Sequence, residues 1–505
     1  MLFNYWRIAW RFLIRNKLYT GIHIVGLALG ICGCVVLFLT TSYEFSFDRK
    51  WADGGRIYRI VGEIHRPDGL EMFANSPFED VAGFETQIPG FDAKAAIFPY
   101  DGKISVPQPE GPSKNFDNHI GDQYQSAAAM TVAGYFSVFQ YRWLAGNAAV
   151  LDRQNELVLT ESRGRLYFGN ISPAEMIGKT VLYDDSLQVH VGGVVQDHLE
   201  NTDVGYTDFI SIATATHSFL KDWIPTADWK SLRPHQSMAW VRLAKGVTAG
   251  QVNARFAEYI RRRVALRRGS LNFYLQPLED IHFTRNFHRG DDGDMWRKPY
   301  LPELYAMIGV AIFILLIAAI NFVNLSTAQS MSRAKEVGVR KVMGSRLAHI
   351  RIQFLIETLL VVLLAVLLAV SLVNPVLHAF RDYLPKGVHF EPTYPGTLAF
   401  LAGITLLTTF LAGSYPAWVM ARHQPVESLK GEVTGAVSGT LALRRALIVF
   451  QFAVSLVFII GAIVVARQIR YMRLADKGFS TDRILTVTSW SSKPDQLREY
   501  ANSIR

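Results

Sequence analysis

Cysteine is nearly absent: the 505 residues contain two, Cys32 and Cys34, both inside one uncharged stretch. That excludes a disulfide framework and paired thiolate metal ligands. Ile31-Cys32-Gly33-Cys34 also lacks the small residues that precede a lipid-modified cysteine, so packing is the expected role of both thiols. Signatures of catalysis are missing as well. Without G-x-x-x-x-G-K-[ST] the chain has no phosphate-binding loop and no ATPase activity of its own is expected. Neither H-E-x-x-H nor a G-x-S-x-G elbow occurs, so nothing points to a catalytic site within the chain. The net charge of +9 is not accompanied by a zinc finger, an RNA-binding signature or a helix-turn-helix, and a nucleic-acid partner is not expected.

Charge is also lacking in places. Five stretches, 18–43, 304–332, 358–380, 392–421 and 446–466, contain no Asp, Glu, Lys or Arg. At 1.5 Å rise per residue even the shortest makes a helix of about 31 Å, enough to cross a hydrocarbon core of roughly 30 Å. Their interiors are mostly Leu, Ile, Val, Ala, Phe and Gly, a composition that water would not tolerate on every helix face. Membrane spans are therefore expected at 18–43, 304–330, 358–378, 396–418 and 446–466. The first is too long for a signal-peptide core and is followed by no small-x-small cleavage site, so it is read as retained.

The basic residues flank these spans. Arg7, Arg11, Arg15 and Lys17 precede the first without an acidic residue among them, which makes 1–17 a cytoplasmic amphipathic segment. Alternation then places 44–300 outside, 333–357 inside, 381–391 outside and 422–445 inside. The inner loops agree: Arg333, Lys335, Arg340, Lys341, Arg346 and Arg351 face only Glu336 and Glu357 in one, and the second (the 419–445 linker) is weakly positive. The orientation of the fifth span rests on parity alone, because Arg467, Arg470, Arg473 and Lys477 follow it on the side assigned to the outside.

The large segment 44–300 reads as mixed α+β. Short β-branched or aromatic runs at 57–64, 157–160, 180–182, 188–195 and 238–243 are bounded by Gly, Asp and Asn and predict strands. A helix is predicted from Thr248, a suitable cap, to about Arg263. Two subdomains are expected, the inner one near 130–230. Residues 442–490 repeat the N-terminal plan of basic residues, a span and a strand-like run, so 467–505 reads as the start of a second outer domain, cut short. A complete second half would add that domain and about three further spans.

A series of short motifs runs through the chain in order. Asn-Phe-Val-Asn-Leu-Ser at 321–326 is followed by Arg-Ala-Lys-Glu-Val-Gly-Val-Arg-Lys-Val-Met-Gly at 333–344 and Gln-Phe-Leu-Ile-Glu at 353–357. Phe-Asp-Arg at 47–49 and Arg-Ile-Tyr-Arg at 56–59 come after the first span, and Pro-Leu-Glu-Asp-Ile-His at 277–282 before the second. Gly-Ser-Tyr-Pro-Ala at 413–417, Pro425, Leu-Lys-Gly at 429–431 and Phe-Gln-Phe at 450–452 complete the series. Together they resemble the MacB/FtsX-like permeases of ABC transporters, especially the long two-repeat type, over nearly the whole chain.

That resemblance implies an α-helical membrane protein with a mixed α+β extracytoplasmic domain, a MacB-like periplasmic core, in the bacterial inner membrane. It implies that the loop 331–357 carries a coupling helix docked on a separate cytoplasmic ABC ATPase dimer, with ATP and Mg on that partner and no cofactor in this chain. A second permease copy or a periplasmic adaptor would be further partners, beside the bilayer. The site residues it designates are Arg333, Lys335, Glu336, Val337, Gly338, Arg340, Lys341, Met343 and Gly344. Their chemistry suits docking: Ala334, Val337 and Met343 supply an apolar side, the charges fix orientation, Gly338 permits close approach and Gly344 ends the helix. The same residues, without the motif, would be a solvated positive-inside loop.

Other candidates receive structural readings. His282 and His288 have no cysteine or carboxylate cluster at ligand spacing, so no zinc is expected there. Tyr415-Pro416 is expected to kink or end the fourth helix, Asn321 and Asn324 to serve helix packing, and His65 and His190 to be strand histidines. Spans without a midplane ionisable group argue against an ion-coupled carrier. The expected function is conformational work in the periplasm driven by a partner ATPase: efflux, lipoprotein handling or control of cell-wall hydrolases. The alternative is a transmembrane sensor with an extracytoplasmic ligand-binding domain.

Overall fold

Each uncharged stretch folds as one long helix. The computed structural model describes residues 2–49, 51–66, 69–74, 88–108, 110–119, 126–198, 201–216, 218, 220, 237–263, 270–284, 298–330, 334–422 and 437–475, to which all structural statements refer. The longer helices are α1 (Leu2–Arg15), α2 (Lys17–Phe45), α3 (Ala249–Arg263), α4 (Leu301–Ser330), α5 (Ala334–Val342), α6 (Leu347–Ala379), α7 (Pro395–Arg422) and α8 (Val437–Leu474). Five of these, α2, α4, α6, α7 and α8, are long and apolar enough to cross a membrane. The chain divides into two compact units, one of residues 1–318 and 356–410, the other of 319–355 and 411–505.

The first unit contains a mixed α+β domain built on thirteen strands: β1 (Ile57–Arg66), β2 (Gly69–Phe73), β3 (Phe91–Tyr100), β4 (Ile104–Val106), β5 (Lys114–Phe116), β6 (Ala128–Thr131), β7 (Trp143–Ala145), β8 (Glu156–Thr160), β9 (Thr180–Tyr183), β10 (Leu187–Val195), β11 (Asp208–Ser211), β12 (Met238–Leu243) and β13 (Ser270–Pro277). Their order is β13-β1-β12-β3-β6-β11-β8-β10-β9-β4-β5, with β2 on β1 and β7 on β10. Only β6–β11 and β8–β10 pair in parallel. All five strands expected from the sequence form, because each combines β-branched or aromatic residues with turn formers at its ends.

Helix α3 begins as its sequence requires. The Thr248 hydroxyl accepts the Gln251 amide at 3.4 Å, while the Gln251 side chain accepts the Thr248 amide at 3.0 Å, a reciprocal cap that satisfies two otherwise free donors. Val252, Phe256 and Tyr259 recur at helical spacing and pack on Ile60, Ala239 and Leu275 of the sheet. A second cluster of Trp240, Phe139, Tyr135 and Phe209 fills the middle, and a third of Leu157, Val181, Tyr183, Val189 and Ile210 fills the far end. In the same unit α2 approaches α4 closely: a Cβ built on Gly30 would lie 2.7 Å from the Ala318 Cβ.

Three boundaries differ from the sequence reading. Helix α6 starts at Leu347 rather than 358, taking in Gln353 and Glu357, because the charge-free criterion finds the lipid-facing core of a helix and not its water-side turns. Helix α7 runs through Pro416 to Arg422, so the proline does not end it; membrane helices tolerate proline where neighbouring groups satisfy the freed carbonyl. Helix α8 extends well beyond 446–466 on both sides. Residues 423–436 and 476–505, on which most of the cytoplasmic linker and the second outer domain were placed, lie outside the described residues.

Candidate functional site

The motif at 333–344 folds, from Ala334, as the short helix α5 in the second unit. Its end is a glycine stop: Gly344 takes φ +88°, its amide donates to the Lys341 carbonyl and the Ser345 amide to that of Arg340, both at 3.0 Å. This 5→2 and 6→1 pattern needs a left-handed residue and caps the last carbonyls, as expected for Gly344. On its inner side Val337 is buried with Ile350 of α6 and Met420 of α7, with Phe354 packed against them. The Arg340 guanidinium donates to Gln353 Oε1 at 2.7 Å, and Lys341 Nζ to the Ala421 carbonyl at 2.9 Å. Partial burial holds the Lys341 ammonium below its ordinary pKa.

These contacts divide the expected docking residues. Met343 is exposed, whereas Val337 points into the unit, where Met420 and Ile350 pack against it. The exposed apolar ridge is instead Val339, Val342 and Met343, at 53%, 68% and 81% exposure and at i, i+3, i+4 spacing on one face. Gly338 is buried; Gly344 is exposed. Arg333 lies outside the described residues, and Ala334, Lys335 and Glu336 belong to the helix with side chains that do too.

A second assembly lies in the first unit, where α2 meets the α+β domain. Glu44, Asp48, Asp203 and His282 are each no more than 3% exposed. His282 closes a turn of 3-10 helix, Leu278–Phe283, that follows β13. Its Nε2 lies 2.9 Å from Glu44 Oε2 and its Nδ1 3.1 Å from both Asp203 oxygens. Phe47 stacks on the imidazole at 3.7 Å and 12°. The Asp48 carboxylate accepts from Trp51 Nε1 at 3.1 Å, the Asp203 amide at 3.2 Å and the Thr202 hydroxyl, while the Asp48 amide donates to the Asn201 carbonyl at 2.9 Å. Burial, and next the Asp203 charge, push the Asp48 carboxyl up to about 7 against these donors.

The motifs 47–49 and 277–282, at opposite ends of the large segment, thus meet at one place. Sequence reasoning missed this. Spacing along the chain tests His282 only for ligands nearby in sequence, and its carboxylates come from α2 and from a loop that carries no signal of its own. Among the described residues no group of His, Cys, Asp and Glu could hold a metal ion, and His288 lies outside them. His65 and His190 are exposed strand residues. Asn321 is half-buried and Asn324 is buried in α4.

Residues 20–259 match the family model of the MacB-like periplasmic core domain, and residues 308–425 that of the FtsX-like permease C-terminal region. The chain is 24% identical over 440 residues to the macrolide export ATP-binding/permease protein MacB of Salmonella paratyphi A, and 23% identical over 432 residues to that of Escherichia coli K12, covering 84% of this chain each time. It spans 60% of the length of these curated relatives. Among solved structures, a permease-protein domain from Porphyromonas gingivalis aligns at 17% identity and a TM-score of 0.36, covering 51% of this chain and 99% of that one. The periplasmic region of MacB from Actinobacillus actinomycetemcomitans aligns at 16% and 0.30, covering 45% and 91%. The fold class is accordingly an α-helical, multi-pass membrane protein with a mixed α+β periplasmic domain.

Proposed function

The chain belongs to the MacB/FtsX-like permease family, and on that footing we propose that it is the permease subunit of an ATP-driven transporter whose ATPase is a separate cytoplasmic subunit. The observation that carries this reading is α5: a short helix anchored from below by Val337, Arg340 and Lys341, with Val339, Val342 and Met343 directed away. A rigid base with an exposed apolar ridge amid basic residues is what a force-bearing contact with another protein requires. The relatives are named as ATP-binding and permease proteins in one; these 505 residues contain no phosphate-binding loop, and we assign nucleotide and Mg to the partner subunit. Five spans without a midplane charge suit helices that move as rigid rods better than an ion-coupled pathway. The work would be delivered to the periplasmic domain at the inner membrane, for efflux, lipoprotein handling or control of cell-wall hydrolases.

The test is recovery of the full chain from its native membrane in mild detergent, with identification of what accompanies it and an assay of ATP hydrolysis. A stoichiometric nucleotide-binding subunit, lost when Lys335→Glu and Glu336→Lys are combined while membrane insertion persists, is the expected result. Absence of any ATPase across several detergents would instead favour a transmembrane sensor.

A further inference from the structure

The contact among Glu44, His282 and Asp203 has a proton count set by geometry. One ring nitrogen faces a Glu44 oxygen at 2.9 Å and the other faces both Asp203 oxygens at 3.1 Å. Between two ionised carboxylates a neutral imidazole, with one N–H and one lone pair, can satisfy one and must oppose the other, whereas the imidazolium donates to both. All three groups are buried and the ring is held flat against Phe47, so neither water nor ring rotation relieves the mismatch. We propose that protonated His282 is a clasp fastening the C-terminal end of α2 to the periplasmic domain, closed while the imidazole carries both protons and released when rising pH removes one.

The surrounding charges bear on the direction. Asp48, from the turn after α2, sits beside Asp203, and its ionisation adds negative charge that favours the imidazolium. Arg59 of β1 is held by Gln276, whose amide donates to Thr284 just beyond His282. Tyr135 and Tyr141 feel the Asp48 charge, His198 stacks on Trp51, and Lys298 is buried ahead of α4. Only the clasp itself requires two carboxylates to share one ring. Replacing Glu44 by glutamine changes that requirement, because its amide can donate to Nε2 of a neutral imidazole whose Nδ1–H still serves Asp203.

The full chain in lipid nanodiscs would be followed by hydrogen–deuterium exchange from pH 6 to 9, corrected for intrinsic rates, at the amides of residues 46–49 and 201–204. Wild type is expected to lose protection about tenfold as pH rises, Glu44→Gln to remain protected throughout, and His282→Asn to be unprotected at every pH. A flat wild-type profile, a Glu44→Gln profile that follows wild type, or full protection in His282→Asn would each overturn the clasp. The result does not depend on the ATPase, so it stands apart from the transporter reading.

Discussion

Asp48 is a carboxylic acid whose surroundings favour its neutral form, and this gives the protein a pH response of definite sign. Its folded pKa, about 7, lies above the ordinary value of 3.8. Between those values the native state holds a proton that the unfolded chain releases, so the Asp48 contribution to stability falls as pH rises from about 4 to about 7 and is flat above. Asp48→Asn should remove that slope, by at most about 4 kcal/mol over the interval. Comparison of thermal midpoints of wild type and variant across the range checks it; parallel curves would refute the assignment. The donors Trp51, Thr202 and the Asp203 amide oppose the shift and keep the carboxylate oxygens occupied in either state.

At the scale of elements, two contacts carry predictions. Gly30 lets α2 approach α4 to a distance that a side chain would forbid. Gly30→Val should cost about 1–3 kcal/mol of overpacking strain, read as a lower thermal midpoint in detergent, with an unchanged midpoint counting against the helix pairing. On α5, Val342→Asp combined with Met343→Asp should reduce capture of the ATPase at least tenfold, with membrane insertion unaffected; binding measured at wild-type strength would move the contact elsewhere. The long helices and five of the thirteen strands were legible in the sequence. Residues 188–195 read as a strand because they are rich in β-branched residues and bounded by turn formers, and Gly344 as a helix stop because glycine takes the left-handed backbone that ends a helix. The exposed face of α5 was not legible, since which side is free depends on Met420, which belongs to another helix. Helix ends near Leu347 escaped for a related reason: a charge marks where lipid ends, and a helix can continue into water.

For the whole molecule, the charge asymmetry of the loops predicts an orientation that labelling can test. A cysteine introduced at Asp185, exposed in the turn between β9 and β10, should react with an impermeant maleimide in cells whose inner membrane is intact. One at exposed Ser345, after α5, should react only once that membrane is opened. The reverse pattern would invert the topology. Spans and large domain were readable because bulk composition determines them. The junction at Glu44, Asp48, Asp203 and His282 was not, because its members are brought together only in the folded domain, where β1 pairs with β13.

Phe47, where the chain enters the periplasmic domain, and His282, near where it leaves, lie ring on ring at 3.7 Å. A segment whose ends meet spans no distance of its own, so its length adds nothing to the separation of the helices on either side. The domain is in effect an insertion at a single point, an arrangement in which its length can change while the helices keep their spacing.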